Sequence, residues 1–170
     1  MSGKKKLFGI VGWKNTGKTT LVSKLVQDLT EQGISVSTVK HTHHEFEIDH
    51  EGKDSFIHRQ SGAQEVLLTS GDRWALIHER GKEIDFMSLI EKLSPVDLIL
   101  IEGEKQGDHP KISVHREEKE EEPLIKEAKN VIAIASNNSP NSNIPVLDIN
   151  NISEISDFII EHCALRNNIL

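Results

Sequence analysis

The sequence predicts an α/β fold, a mostly parallel sheet with helices on both faces. Three observations predict it. Apolar runs alternate with segments of helical spacing along the chain. The run VDLILIEG at 96–103 is almost uninterrupted, as expected of a strand buried on both faces of a parallel sheet. The stretch GWKNTGKTTL, Gly12 to Leu21, fits G-x-x-x-x-G-K-[ST] between an apolar run and a helical one, the phosphate loop of P-loop NTPases.

Each element follows from a local pattern. KLFGIVG at 6–12 is a short apolar strand ending in glycine. A helix over 17–33 places Leu21, Leu25, Val26 and Leu29 on one face and stops at Gly33. Residues 34–41 are β-branched and alternating, a strand. Residues 54–62 form a short helix with Asp54 as a candidate cap. The runs 65–70 and 73–79 flank Gly71 and Asp72 and predict a hairpin. A helix follows at 85–93, then strands at 96–103, 110–116 and 130–136, and an amphipathic helix at 152–165 closes the pattern. The charged run 116–123 reads as a solvated loop or helix start, 136–145 as turns, and the tail 166–170 as frayed. With no internal repeat and no linker, one domain over 1–170 is expected.

Composition narrows the function. The chain has 170 residues, 36% hydrophobic and 28% charged, which suits a globular domain with a real core. No apolar run approaches the ~18 residues of a membrane helix. The start has lysines and a short apolar run but no signal-peptide cleavage pattern, so a cytoplasmic setting is expected. Cys163 is the sole cysteine, which excludes an intrachain disulfide. A net charge of −7 argues against non-specific nucleic-acid binding.

The loop carries the chemistry. Where a strand turns sharply into a helix, successive backbone N–H groups form a concave anion site. The helix N-terminus adds about half a positive charge in the same direction. Gly12 and Gly17 permit the tight path. Lys18 would reach the β- and γ-phosphates, and Thr19 would give its hydroxyl oxygen to Mg²⁺. An acidic residue on the metal side is expected, and 96–103 offers two. Ligands of such sheets bind at the carboxyl ends of the strands. Glu102 stands at that end; Asp97 lies roughly 16 Å away at the other. Glu102 is therefore the metal-side or water-orienting residue, and Asp97 a strand-start residue.

The cluster KHTHHEFEIDHEGKDS at 40–55 follows the second strand. Its His41, His43, His44 and His50 match no standard zinc spacing. Structural, substrate-binding and transition-metal roles stay open for them. Asp49 and Asp54 are candidate Mg²⁺ ligands, although Asp54 equally serves as a helix cap. Lys53 is a candidate phosphate contact.

Together GWKNTGKTTL, KHTHHEFEIDHEGKDS, RQSGA, LILIEGEK and PKISVHR resemble the MobB family of molybdopterin-guanine dinucleotide biosynthesis, over most of residues 6–116. The resemblance implies a homodimeric GTP-binding protein with weak GTPase activity. Such a protein assists the guanylyltransferase MobA, which joins GMP to molybdopterin. It implies that Gly12, Asn15, Thr16, Gly17, Lys18, Thr19 and Thr20 hold phosphates and Mg²⁺, and that Glu102 completes the metal side. It places His41, Asp49, Lys53, Asp54 and Ser55 beside the nucleotide. Arg59, Lys105 and Lys111 become candidates for a further anion such as the pterin phosphate.

Guanine preference rests on the resemblance, because no N/T-K-x-D signature is present. Asn137 or Asn138 either reads a base edge or shapes a turn. Two other classes compete: a small-molecule kinase, disfavoured by few and scattered arginines, and a nickel-type metallochaperone GTPase, raised by the histidines. The chain shows no obvious arginine finger next to its motifs, so slow hydrolysis is expected.

Overall fold

A computed structural model of the chain describes residues 5–42, 46–79, 84–118 and 121–165. The histidines at 43 and 44 and the tail 166–170 lie outside them. The described chain packs as two compact units, residues 1–42 with 95–170 and residues 43–94. In sequence the second unit falls between the two segments of the first.

The first unit is built on a six-stranded sheet. Its strands are β1 (Leu7–Gly12), β2 (Val36–Lys40), β5 (Leu98–Glu102), β6 (Lys111–Val114), β7 (Val131–Ser136) and β8 (Val146–Asp148). Their order is β2-β5-β1-β6-β7-β8, and every neighbouring pair is parallel. β1 thus has a strand on each side. Ile10 is level with Glu102 of β5, and Gly12 with Val114 of β6.

Period-two alternation decides which side chains meet the helices. Phe8 and Ile10, Leu98 and Leu100, Ile112 and Val114, Ala133 and Ala135 all enter one cluster. Helices α1 (Lys18–Glu31) and α4 (Ile152–His162) fill it with Leu21, Leu25, Leu29, Ile155 and Ile159. Burying one such side chain contributes about 1.5–3 kcal/mol relative to leaving it in water. Within this unit the opposite face takes Val11, which packs with Leu124 and Ala128.

The end of α1 follows from Gly33. Its φ of 82° is left-handed, and Ile34 N–H reaches back to Leu29 O at 3.0 Å while Gly33 N–H reaches Thr30 O at 3.0 Å. Both bonds satisfy carbonyls that the helix leaves orphaned. Asn151 begins α4, its side chain accepting from Glu154 N–H. Cys163 lies in the core, where burial pushes its thiol up to about 11.

A buried polar hub lies between β5 and β6. Glu104 accepts from the backbone N–H groups of Gln106 and Gly107. Lys111 is fully buried, and its ammonium donates to the carbonyls of Gly107, His109 and Lys129. An ammonium has three donors, and all three are used. Lys111 was expected to hold an external anion; the structure corrects this, since it ties a loop together from inside. Gly9 is required beside it, because a Cβ there would lie 2.6 Å from Lys111 Cγ.

The second unit holds α2 (Asp54–Gln60), a hairpin of β3 (Glu65–Thr69) and β4 (Trp74–His78), and α3 (Phe86–Glu91). The hairpin pairs antiparallel, with Val66 opposite Ile77 and Leu67 opposite Leu76. Lys53, not Asp54, occupies the cap position of α2. Asp54 is the first helical residue, where its charge favours the positive helix end. Asp85 caps α3 by accepting from Ser88 N–H at 3.0 Å.

The hub gives a pH prediction through His109. Its side chain is 5% exposed, and its Nε2 stands 3.9 Å from Glu104 Oε2. Burial first, then the Lys111 charge, lowers its pKa from 6.5 to about 4. Between those values the unfolded chain binds a proton that the folded chain does not, so stability falls as pH drops through that window. Denaturant titrations at pH 7, 6 and 5 should show His109→Gln losing less stability than the wild type over the same range. Parallel losses in both proteins would remove His109 as the source.

Candidate functional site

The site is built where β1 meets α1. Gly12 ends β1 with a φ of 155°, and a Cβ there would lie 2.7 Å from Val114 O. Only glycine lets the loop leave the strand so close to β6. Asn15 and Gly17 take left-handed φ values of 63° and 93°. Gly17 caps α1 with no side-chain hydrogen bond, which leaves the first N–H groups of the helix directed into the loop. A concave row of backbone donors of this kind fits a phosphate.

Side chains brace the loop from within. Thr16 is buried, and its Oγ1 donates to Trp13 O at 3.0 Å. Lys18 Nζ donates to the same carbonyl at 2.6 Å. Trp13 Nε1 donates to Glu122 O at 2.9 Å, and the Lys105 ammonium sits 5.0 Å from the Trp13 ring centroid. A cation over an indole face is favourable by about 0.5–1 kcal/mol at an exposed site.

β5 delivers the acid. Glu102 is 9% exposed, and its Oε1 accepts from Thr19 Oγ1 at 2.8 Å. Lys40, at the end of β2, brings its Nζ to 3.8 Å from the same oxygen. Asp97 lies at the other end of β5, where Oδ2 accepts from Ser35 N–H and the Ser35 hydroxyl. The two carboxylates therefore separate as expected from their places in the strand. His41 joins the Glu102 end through its backbone, its N–H donating to Glu102 O at 2.8 Å.

The charges around Lys18 are unequal. Burial lowers its pKa most, Glu102 raises it, and Lys105 and Lys40 lower it again. Three ammonium groups thus face one carboxylate, a field that favours a polyanion. Sequence reasoning did not single out Lys40 or Arg116. Arg116 lies two residues beyond β6, and its Nε donates to Thr16 O at 3.4 Å. It is remote from the loop in sequence and adjacent to it in space. The available signal was the strand ending just before it.

The other candidates belong to the second unit. Asp49, 8% exposed, pairs with Arg59 at 2.5 Å, and Arg59 also reaches Glu79 at 2.6 Å. The Arg59 hydrogen bonds hold the Asp49 carboxyl below its ordinary range. An expected metal ligand and an expected anion contact therefore satisfy one another. Ser55 is buried in α2, while Lys53 and Asp54 are exposed. In the first unit Thr20 is exposed on α1. Asn137 accepts from Glu117 N–H and donates to Glu118 Oε1, and Asn138 accepts from the Ser136 hydroxyl. Asn137 thus ties residues 117 and 118 to the end of β7, and Asn138 makes a local contact with Ser136.

The family model of MobB, molybdopterin guanine dinucleotide synthesis protein B, matches residues 7–137. The chain belongs to the MobB family. It is 39% identical over 161 residues to a molybdopterin-guanine dinucleotide biosynthesis adapter protein of Haemophilus influenzae, covering 94% of this chain and 90% of that one. The Escherichia coli protein of the same name is 38% identical over 168 residues, 95% of each chain. The crystal structure of a MobB homolog from Bacillus stearothermophilus matches with a TM-score of 0.68 and 25% identity, covering 93% of this chain and 97% of that one. The chain therefore belongs to molybdenum-cofactor biosynthesis, on a P-loop fold of nucleotide-binding type. Among the described residues no helix is long and apolar enough to cross a membrane.

Trp13 gives this MobB-family loop a built-in reporter. A phosphate that recruits Lys18 removes one of the two side-chain donors from Trp13 O. In a Trp74→Phe background, Mg²⁺–GTP should therefore change the emission of the remaining tryptophan. Unchanged emission at saturation, with binding shown by calorimetry, would exclude rearrangement at Trp13.

Proposed function

We propose that this protein binds Mg²⁺–GTP at the phosphate loop, hydrolyses it slowly, and acts as a homodimeric, cytoplasmic accessory factor to the guanylyltransferase MobA in attaching GMP to molybdopterin. One observation carries the reading: Thr19 and Glu102 meet at 2.8 Å beside Lys18, at the mouth of a glycine-built anion cradle. A threonine hydroxyl and a carboxylate on neighbouring elements are the oxygen donors that suit Mg²⁺. When bound, the ion would neutralise charge on the phosphates. Lys18 would bind them directly, and Glu102 would orient water near the terminal phosphate. Lys105 remains a candidate for a further anion beside Trp13. The hairpin's exposed Leu67, Trp74 and Leu76 supply apolar surface that a second copy would bury.

Three substitutions test the reading. Lys18→Ala should keep the fold and weaken GTP binding by about 1.5–3 kcal/mol, the scale of a charge-assisted hydrogen bond. Glu102→Gln should bind GTP nearly normally and hydrolyse it more slowly in a single turnover. Asp97→Asn should leave the rate almost unchanged. A folded Lys18→Ala protein with wild-type affinity would remove GTP from this loop. Hydrolysis lost in Asp97→Asn and kept in Glu102→Gln would reverse the two carboxylates. Transfer of the γ-phosphate to a small molecule in the same assay would favour a kinase instead.

A further inference from the structure

The two strands flanking β1 end in groups of opposite charge. β5 ends at Glu102, which meets Thr19. β6 ends at Val114, and His115 N–H donates to Ala135 O at 2.9 Å, fixing the direction in which the chain leaves the sheet. Arg116 follows at once. Its guanidinium lies against Gly17, the cap of α1: a Cβ built there would stand 3.4 Å from Nη2 and 3.8 Å from Nε. The Nε contact to Thr16 O, at 3.4 Å, is long for an N–H···O bond. Among the described residues Arg116 has no carboxylate partner. The nearby Glu118 carboxylate accepts from Asn137 Nδ2, and Glu117 N–H is held by the same side chain. The rest of the planar fork is therefore uncommitted beside the N-terminus of α1, and such a fork matches phosphate oxygens in pairs.

We propose that Arg116 clamps the nucleotide in cis, its guanidinium binding the phosphates shared by GTP and GDP from the β6 side of the loop. The proposal rests on the GTP-binding reading above. Thr19 and Glu102 mark the metal and terminal-phosphate end on the β5 side. Arg116 stands across β1 from them, at Gly17, where it reaches the inner phosphates instead. It is a binding residue, separate from the hydrolytic groups.

The test compares wild type, Arg116→Ala and Arg116→Lys by calorimetric titration with Mg²⁺–GTP and Mg²⁺–GDP, and by single-turnover hydrolysis at saturating GTP. Thermal melts without nucleotide confirm that each variant is folded. Arg116→Ala should weaken both nucleotides by the same factor, tenfold or more, the scale of a charge-assisted hydrogen bond. Arg116→Lys should recover part of that loss, and the saturated hydrolysis rate should stay within about twofold. Wild-type affinity in folded Arg116→Ala would reduce the residue to a brace on Thr16 and overturn the proposal. A loss confined to GTP, or a slowed rate at unchanged affinity, would also overturn it by placing the guanidinium at the terminal phosphate. Wild-type protein that fails to bind either nucleotide would reject the GTP-binding reading itself, in the same titrations and before any variant is compared.

Discussion

The site depends on β1 having a parallel strand on each side. Parallel neighbours end at the same edge of a sheet, so whatever follows β2, β5 and β6 is delivered to the loop that follows β1. That single constraint brings Lys40, Glu102 and Arg116 to residues 12–19 from three distant parts of the chain. It works only because Gly12 has no side chain. With a Cβ 2.7 Å from Val114 O, the β6 backbone would have to move off and take Arg116 with it.

The same geometry sets the electrostatics. Burial disfavours the charge on Lys18, and only Glu102 among its acting neighbours restores it. Lys111 offers the contrast. It too is lowered, with burial as the largest cause, yet its donors end on three backbone carbonyls inside the fold. A perturbed lysine is therefore a poor functional marker by itself. What separates the two is where the donors go. Lys18 rests on Trp13 O, a carbonyl of the loop itself, which a phosphate can replace. Lys111 holds three carbonyls on two segments, the 107–109 loop and Lys129, inside the fold.

Much of this was legible in the sequence, for identifiable reasons. The loop, its strand and its helix are contiguous, so spacing alone located them. Glu102 and Asp97 were separable because a buried strand has a direction and two ends. The rest was hidden for separate reasons. β8 is three residues long and gives no periodic signal. Lys111 and Arg116 both lie in one short segment, PKISVHR, where sequence cannot say which polar side chain turns inward. The pairing of Asp49 with Arg59 spans ten positions and carries no motif, so each residue was matched to an external ligand when each is the other's partner.

In the proposed reading, the distribution of charge also accounts for slow hydrolysis. Cations besides Lys18 are plentiful, but each has a job that leaves the terminal phosphate weakly served. Arg116 lies on the β6 side of the loop, Lys105 covers the Trp13 ring, and Lys40 shares the Glu102 oxygen that Thr19 also uses. Fast phosphoryl transfer needs a further positive group at the γ-phosphate, and supplying one is worth about 10³–10⁵ in rate. On the β5 side, Lys40 is the group best able to respond. Its side chain is 67% exposed, while the Glu102 carboxylate 3.8 Å away is largely buried. In that reading a protein partner docking at that edge turns Lys40 inward or brings its own cation. A loop that binds well and hydrolyses poorly alone suits an accessory factor, whose nucleotide should persist until the partner is in place.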